Sequence, residues 1–566
     1  MNHRTYATPC GSIHYWLRIM DPAQPTLIFL PGLTADHRLF NRQIEYFENK
    51  VNVFVWDAPG HKDSWPFDLS FTLEDKARWL REILDWESGR YTGRIPEAAQ
   101  TYNVIGNINE HQVTIAETTF GGREELVNPE GIIDYGSLIY IALQRSKTAR
   151  EAIDVMTSLV EEYGYNSGGE SFTIADPNEV WIMEMIGKGP EHKGAVWVAI
   201  RIPDDCISAH ANQSRIHKFD MKDKENVMYA KDVVSFARKR GYFSGKDEDF
   251  NFAAAYCPFD FGGLRYCDAR VWSYFNMFGA EDMNKYLDWA KGDATAEAIP
   301  LYMKPKKPLS LQDVMNGMRD HYEGTPFDLS GEIAGGMFDM PYRLSPLSFE
   351  VDGVKYFNER PISTFQSAFV FVAQMRRSLP NAVGGVLWFG CDDADMMIYT
   401  PVYCCTDRVP DCYAEEYADP VTFSWKSSYW VFNWVANMIY PKYSMVIDDM
   451  RAVQGELEKR IYEQSREMER KALEAVKVSP KHAVEMLTGF TCCSAEMALA
   501  EWKKFGEKVI VKYNDFVVKK EENGKVKRSS TGLVDGIVRP GYSKEFWKKI
   551  AEDTGDRYLV PEVNSK

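Results

Sequence analysis

Gly106-Asn107-Ile108-Asn109-Glu110-His111-Gln112-Val113-Thr114-Ile115-Ala116-Glu117-Thr118-Thr119-Phe120-Gly121-Gly122-Arg123 sets the period of the main body of this chain. Apolar and polar residues alternate through Val113–Glu117, the period of a strand with one buried face. Asn109-Glu110 supplies turn residues, so Tyr102–Ile105 is expected to pair with Val113–Glu117 as an antiparallel hairpin. Ser171–Ala175 and Val180–Met185 repeat the pattern around Asp176-Pro177-Asn178, and Ala195–Ile202 reads as a further strand.

A helix falls between the hairpins. Thr148-Ala149-Arg150-Glu151 has the spacing of a capping box, and Gly164 is a stop that tolerates positive φ. Hairpin strands with helices inserted between them give an α+β class, with helices covering a β-sandwich. Further on, Met450, Val453, Leu457, Ile461, Met468 and Val476 recur at helical spacing between charges across Asp448–Val476. Ser479-Pro480 opens a second helix to about Phe505. This Met and Leu stripe reads as packing surface, and Val509–Val518 with a return strand near Gly524 reads as a peripheral hairpin.

The first 84 residues read differently. Ser12–Ile19, Thr26–Leu30 and Val53–Asp57 are strand-like, and Asp36–Asn49 and Thr72–Leu84 are helical in pattern. The turns Leu30-Pro31-Gly32-Leu33 and Asp57-Ala58-Pro59-Gly60-His61 close the apolar strands. This partial α/β, three-stranded segment resembles the opening of the α/β-hydrolase fold, where such a loop would shape an oxyanion hole. The strand and GxSxG elbow that should follow are replaced by Asp85-Trp86-Glu87-Ser88-Gly89-Arg90; Gly164-Tyr165-Asn166-Ser167-Gly168 carries its serine one place late. The expected division is residues 1–84 as a truncated hydrolase-like segment and 85–566 as the main domain.

With 66 basic and 82 acidic residues among 566, the formal charge is −16, spread without a basic patch; nucleic acid is excluded as a partner. There is no apolar run long enough to span a bilayer, and Met1-Asn2-His3-Arg4 opens no signal-type core, so no membrane partner and a cytoplasmic location are expected. The ten cysteines and ten histidines form no paired CxxC sets and no HExxH. No metal and no cofactor are expected, and the oligomeric state is left open.

Several motifs carry a more specific resemblance: the Gly106–Arg123 run, Ala211-Asn212-Gln213-Ser214-Arg215-Ile216, Met318-Arg319-Asp320-His321-Tyr322-Glu323-Gly324-Thr325, and Ser424-Trp425-Lys426-Ser427-Ser428-Tyr429-Trp430. From about Asp85 onward the chain resembles the dipeptidase A (PepD-like) family of N-terminal-nucleophile cysteine peptidases. The resemblance implies an αββα antiparallel sandwich and hydrolysis of dipeptides by a cysteine whose own α-amine serves as base. It also implies that the Asn212 amide donates to the oxyanion, with a backbone N–H at Thr118 or Thr119 as second donor. By the same resemblance Arg270 orients the nucleophile, with Arg265 a neighbour in register. Asn109 and Glu110 are candidates for the substrate's amino group, and Arg319 and Glu323 for its ends; turn-holding and an internal ion-pair network are the competing readings.

The family pattern breaks at its start. Residues upstream of Asp85 lack the expected Cys-Thr strand, Cys10 stands within the hydrolase-like pattern, and Cys405-Thr406 is internal. Three readings follow: a dipeptidase of impaired activity, a peptide-binding pseudoenzyme, or two truncated reading frames joined near Leu84.

Overall fold

The computed structural model describes residues 1–21, 24–32, 35–88 and 94–561, and the chain divides into two units, Met1–Pro96 and Glu97–Lys566. In the first, β1 (Asn2–Thr8), β2 (Gly11–Arg18), β3 (Thr26–Phe29) and β4 (Asn52–Asp57) form one sheet in the order β1-β2-β4-β3. Only β3 and β4 run parallel. The expected three-stranded parallel segment is therefore a four-stranded mixed sheet. The strand that sequence reading missed, β1, is mostly exposed, so it shows no apolar alternation; it is held by full-length pairing with β2.

Every residue of β4 is buried. Helix α1 (Asn41–Phe47) packs against β4, and α2 (Leu73–Ser88) places Trp79 and Ile83 against Ile13, Tyr15, Leu17, Phe54 and Trp56. The buried Asp57 carboxylate accepts from the His37 backbone and Nδ1, both at 2.8 Å, and from the Asp63 N–H at 3.2 Å. It ties the two loops at the strand ends together. Leu33 of the Pro-Gly turn and Gly89-Arg90 of the expected junction lie outside the described residues.

The second unit is built on a seven-stranded sheet, antiparallel throughout. Its strands are β5 (Val104–Ile105), β6 (Ile108–Asn109), β7 (Thr114–Gly121), β8 (Gly169–Ala175), β9 (Val180–Gly187), β10 (Ala195–Ile202) and, beyond the two-residue β11 (Ile207–Ser208), β12 (Val227–Tyr229). They lie in the order β12-β10-β9-β8-β7-β6-β5. The β8–β9 hairpin and β10 match the sequence reading. The first hairpin does not, because β6 lies between β5 and β7, so Tyr102–Ile105 does not meet Val113–Glu117. Asn109 and Ile108 form a short strand of their own, with Gln112 at positive φ in the turn that follows.

Helix α3 (Tyr135–Arg145) precedes α4 (Ala149–Tyr163), where Thr148 caps by accepting from the Glu151 N–H and Gly164 ends the helix at φ 83°. The Glu151 carboxylate reaches back to the Lys147 N–H at 2.7 Å, one residue before the cap. Helix α4 packs across β8, β9 and β10. Short helices α5 (Val233–Lys239) and α6 (Phe252–Tyr256) cover the β10 side. Helices α7 (Ala269–Phe278) and α8 (Leu287–Ala290), the strand β13 (Tyr302–Met303) and α9 (Leu311–Gly317) follow.

After the exposed hairpin of β14 (Ser348–Val351) and β15 (Val354–Phe357) comes a second sheet, β16 (Phe369–Gln374), β17 (Val386–Cys391) and β18 (Thr400–Tyr403), with α10 (Asn381–Gly384) between its first two strands. The layer against it consists of α11 (Ser428–Ile439), α12 (Tyr443–Val478) and α13 (Pro480–Tyr513), which share its core through Trp388, Tyr403, Phe432, Met450, Leu457, Ile461 and Trp502. The Met and Leu stripe is thus packing surface. Helix α13 continues to Tyr513 past the expected end at Phe505; burial of Val509 and Tyr513 outweighs the strand preference of Val509-Ile510-Val511. Short strands follow, beginning with Val518–Lys519, and then a last helix over Lys544–Thr554. Among the described residues no helix is long and apolar enough to cross a membrane. The class is α+β.

Candidate active site

One face of the seven-stranded sheet is lined by Thr114, Ala116 and Thr118 of β7, Thr173 and Ala175 of β8, Val180 and Ile182 of β9 and Ile202 of β10. The register places these residues in cross-strand rows, Ala116 beside Thr173 beside Ile182, so they share a face by alternation. The opposite-facing Ile115, Ile174, Trp181 and Met183 are wholly buried. The first face opens on a cavity of about 1040 Å³, whose far wall is β16 and whose other lining includes His210, Arg270 and Tyr274.

Ala211-Asn212-Gln213 makes a tight three-residue turn, with the Gln213 N–H on the Ala211 carbonyl at 2.8 Å. Its central side chain, Asn212, is held from both ends. Arg270 Nη2 donates to Oδ1 at 2.8 Å, and Nδ2 donates to the Thr119 carbonyl at 2.7 Å. Residues 263–268 form a π-helical stretch that feeds into α7, and the Tyr266 carbonyl in it takes the Arg270 Nε at 2.8 Å. A wide turn of this kind re-aims the side chains that follow it. An amide nitrogen carries two hydrogens, and only one is used, leaving the second N–H of Asn212 available to a ligand oxygen.

His210, which the sequence reading passed over, is enclosed between two threonines. Thr118 Oγ1 lies 2.6 Å from Nδ1 and Thr173 Oγ1 2.7 Å from Nε2. Thr118 donates its only hydroxyl proton to the Ala211 carbonyl at 2.8 Å, so it accepts from Nδ1–H. Nε2 is then the bare nitrogen that accepts from Thr173. The tautomer is that of a neutral imidazole, consistent with burial, then the Arg215 charge, holding the ring down to about 4.

Glu184, alone in the apolar run of β9, is fully buried. It accepts from Ser214 Oγ at 2.5 Å, the Ile216 N–H at 3.2 Å, Ser171 Oγ at 3.3 Å and the Arg215 N–H. Burial pushes its carboxyl up, against these donors. It fixes Ser214–Ile216 to the sheet, and with them the Asn212 turn. Arg215 in turn lies 3.4 Å from Asp268, which also accepts from Trp289 Nε1 at 2.7 Å. A lone carboxylate in an apolar strand, and a His directly before Ala211-Asn212, were the available signals for Glu184 and His210.

On the far face, the Thr119 hydroxyl donates to Glu170 at 2.7 Å. Burial, with the Glu117 carboxylate beside it, pushes the Glu170 carboxyl up to about 8.

Of the eight candidates read from sequence, Asn212, Arg270, Thr118 and Thr119 come together here. Of these, Thr118 and Arg270 line the cavity, Asn212 follows the cavity residue Ala211, and Thr119 faces away; the other four do not line it. Asn109 is buried, and its amide donates to the Leu143 and Ser146 carbonyls and accepts from the His111 and Val113 N–H groups, all within 2.7–3.0 Å. Glu110 accepts from the Asn103 N–H at 2.8 Å. Arg319 is buried against Glu458, at 2.5 and 3.2 Å, with Nε on the Ala394 carbonyl. Glu323 takes the His321 N–H and Nδ1 at 2.9 and 3.0 Å; its side chain is about half exposed, and against some desolvation the His321 contacts hold its carboxyl down to about 2. Arg265 is paired with Glu359.

No thiol in this neighbourhood is ionised by its surroundings. Cys206, on the cavity wall, is pushed up by burial and then by Asp205. Cys257, which donates to the Phe120 carbonyl and accepts from Gln213 Nε2, is pushed up by burial to about 11.

The sequence is similar to known proteins. The model of peptidase family C69 matches residues 52–456. A probable dipeptidase of Salmonella dublin is 27% identical over 330 residues, 55% of this chain and 68% of the relative. One of Latilactobacillus sakei is 25% identical over 378 residues, 66% and 72%. A probable dipeptidase B of Streptococcus pyogenes serotype M1 is 24% identical over 450 residues, 77% and 83%. With the family model matched over well more than half of its length, the chain belongs to peptidase family C69.

Proposed function

We propose that this chain is a dipeptide hydrolase in which Asn212, oriented by Arg270, binds the scissile carbonyl, and that its turnover is slow. The observation that carries the reading is the Arg270–Asn212–Thr119 chain of hydrogen bonds, which leaves one amide N–H of Asn212 unused next to Ala211 and Arg270 of the cavity wall. A donor fixed before the substrate arrives stabilises charge on a tetrahedral oxygen with no reorganisation. Thr118 and Thr119 supply the strand from which a second, backbone donor would come. The relatives named as dipeptidases support the substrate class.

The second half of the proposal rests on the thiols. Cysteine attack needs thiolate, and Cys206 and Cys257 are both pushed away from it. A chain that binds dipeptides through Asn212 and cleaves them poorly accounts for both findings. The architecture we infer is the αββα sandwich. Its support is the cluster of Ile108 with Leu387, Val402 and Cys404, which joins the two sheets, with α4 against one and α11–α13 against the other. The division near residue 84 remains part of this proposal.

The test is a panel of dipeptides on the purified chain, by calorimetry and by product release, with and without iodoacetamide. Dipeptide binding with slow release, in which Asn212→Ala slows release further while binding is retained, is the expected result. No binding of any dipeptide overturns the reading; fast, alkylator-sensitive release overturns the slow-turnover half.

A further inference from the structure

β16 is an edge strand, and its free edge faces the cavity. It pairs with β17 alone, from Phe369 opposite Cys391 to Gln374 opposite Val386. Among the described residues no other hydrogen bond reaches the backbone of residues 369–374. Half of the N–H and C=O groups of a strand point away from its partner, so those of β16 point outward with no hydrogen-bond partner among the described residues, while α9 packs against the same strand. Every residue from Phe369 to Met375 contributes to the cavity wall. A cavity lying over one face of a strand touches alternate residues; one that touches all of them runs along the edge.

Natural edge strands are blunted by charge, proline or a bulge. Phe369-Val370-Phe371-Val372-Ala373-Gln374 has no charge, no proline and an unbroken register. The wall opposite is the apolar part of the seven-stranded sheet, Ala116, Ala175, Val180, Ile182 and Ile202, with small side chains at two of the five positions. We propose that this groove is a strand-acceptor site: an extended segment of another polypeptide, apolar at alternate positions, adds to β16 as a fourth strand and packs its apolar side on Ala116 and Ile182.

Only an extended backbone offers donors and acceptors at the spacing that a strand edge presents, and main-chain bonds then supply affinity while alternate side chains supply selection. Length separates this ligand from a dipeptide. Six residues of strand run about 20 Å, whereas two span about 7 Å and would leave most of the edge unpaired. The proposal does not rest on the peptidase reading, and the probe has both ends blocked so that it offers no dipeptide terminus.

The test uses the full chain and a short fluorescent peptide alternating valine and threonine, acetylated and amidated, followed by anisotropy and amide hydrogen exchange. Saturable binding is expected, with slowed exchange confined to alternate amides of Val370–Gln374. N-methylation of the peptide at every second residue, which removes one edge's donors, is expected to weaken binding at least about tenfold, the loss of a few net hydrogen bonds. Ala116→Trp, which fills the groove, is expected to do the same while leaving the melting curve cooperative. Absence of saturable binding, or equal binding by the N-methylated peptide, overturns the proposal without touching Asn212. A dimer in sedimentation that Val370→Lys converts to monomer would give the edge to a second copy, and equally overturns it.

Discussion

Arg270 and Asn212 are joined by one hydrogen bond, guanidinium Nη2 to amide Oδ1 at 2.8 Å, and that bond fixes which way the amide faces. With its oxygen committed to a cation, the amide turns its nitrogen to the Thr119 carbonyl. The arginine itself is anchored by the π-helical carbonyl of Tyr266. Orientation is thus imposed from α7, not by the turn that carries Asn212.

Replacing Asn212 by Ala removes the free donor, and turnover of the best dipeptide should fall about 10²- to 10³-fold in kcat with little change in KM, the usual cost of one oxyanion donor. Arg270→Lys keeps the charge but cannot serve Tyr266 and Asn212 together, so a smaller loss is expected. Steady-state kinetics on both variants checks the order. Equal loss from the two, or none, contradicts the orientation argument.

Much of this site was legible because it sits in regular alternation. Ala195–Ile202 and the β8–β9 hairpin declare themselves by period and turn residues, and Thr118 and Thr119 lie on β7 beside β8, whereas Arg270 sits on α7 and Asn212 in a turn. What was illegible has a common cause. The polar β1, the two-residue β6 and the last turns of α13 are held by pairing or distant packing, not by local pattern. Asn109, Glu110, Arg319 and Glu323 are the polar residues that motif reading singles out, yet each is engaged in turns or ion pairs that no spacing reveals.

The thiols give a second prediction. Because burial pushes Cys257 up to about 11, its alkylation rate should climb about tenfold for each pH unit from neutrality to about pH 10, in step with the thiolate fraction. Mass spectrometry after timed iodoacetamide exposure reads this out. The exposed Cys493 provides the internal reference. Rapid modification of Cys257 at pH 7 would show that its surroundings ionise it, reopening it as a nucleophile.

The Glu170 carboxyl has a folded value near 8 against an ordinary 4.5, set first by burial and reinforced by Glu117. A value raised by folding means that the native state holds the proton more tightly than the unfolded chain. The contribution is full below about pH 4.5 and is lost as pH rises through about 8. Glu170→Gln keeps the shape and removes the titration, so its melting temperature should fall less between pH 5 and 8 than that of the parent. Asp392, raised to about 8 by burial, adds a slope of the same sign. Asp392→Asn should remove that remainder. A parent whose melting temperature rises across this window would refute the assignment.

Arg319 and Glu458 provide the sharpest stability test. Both side chains are about 6% exposed, their contact is two-pronged, and Glu458 also accepts from the Tyr399 N–H at 3.1 Å. The arginine also donates to the Ala394 carbonyl at 3.0 Å and lies over the Tyr399 ring, 5.1 Å from its centroid. Removing one partner of such a pair leaves an uncompensated buried charge, which costs about 3–5 kcal/mol. Glu458→Gln retains an acceptor but not the charge, and should be destabilising in calorimetry. Replacing both, as Arg319→Met with Glu458→Leu, leaves no buried charge and should recover most of that loss. If Arg319 instead serves to grip a substrate, the double variant will recover stability and lose dipeptide binding; if the pair only ties α12 to the loop after α9, binding will survive. We expect the second result, because every Arg319 donor that the structure shows is taken by Glu458 or the Ala394 carbonyl, and Arg319 itself does not line the cavity.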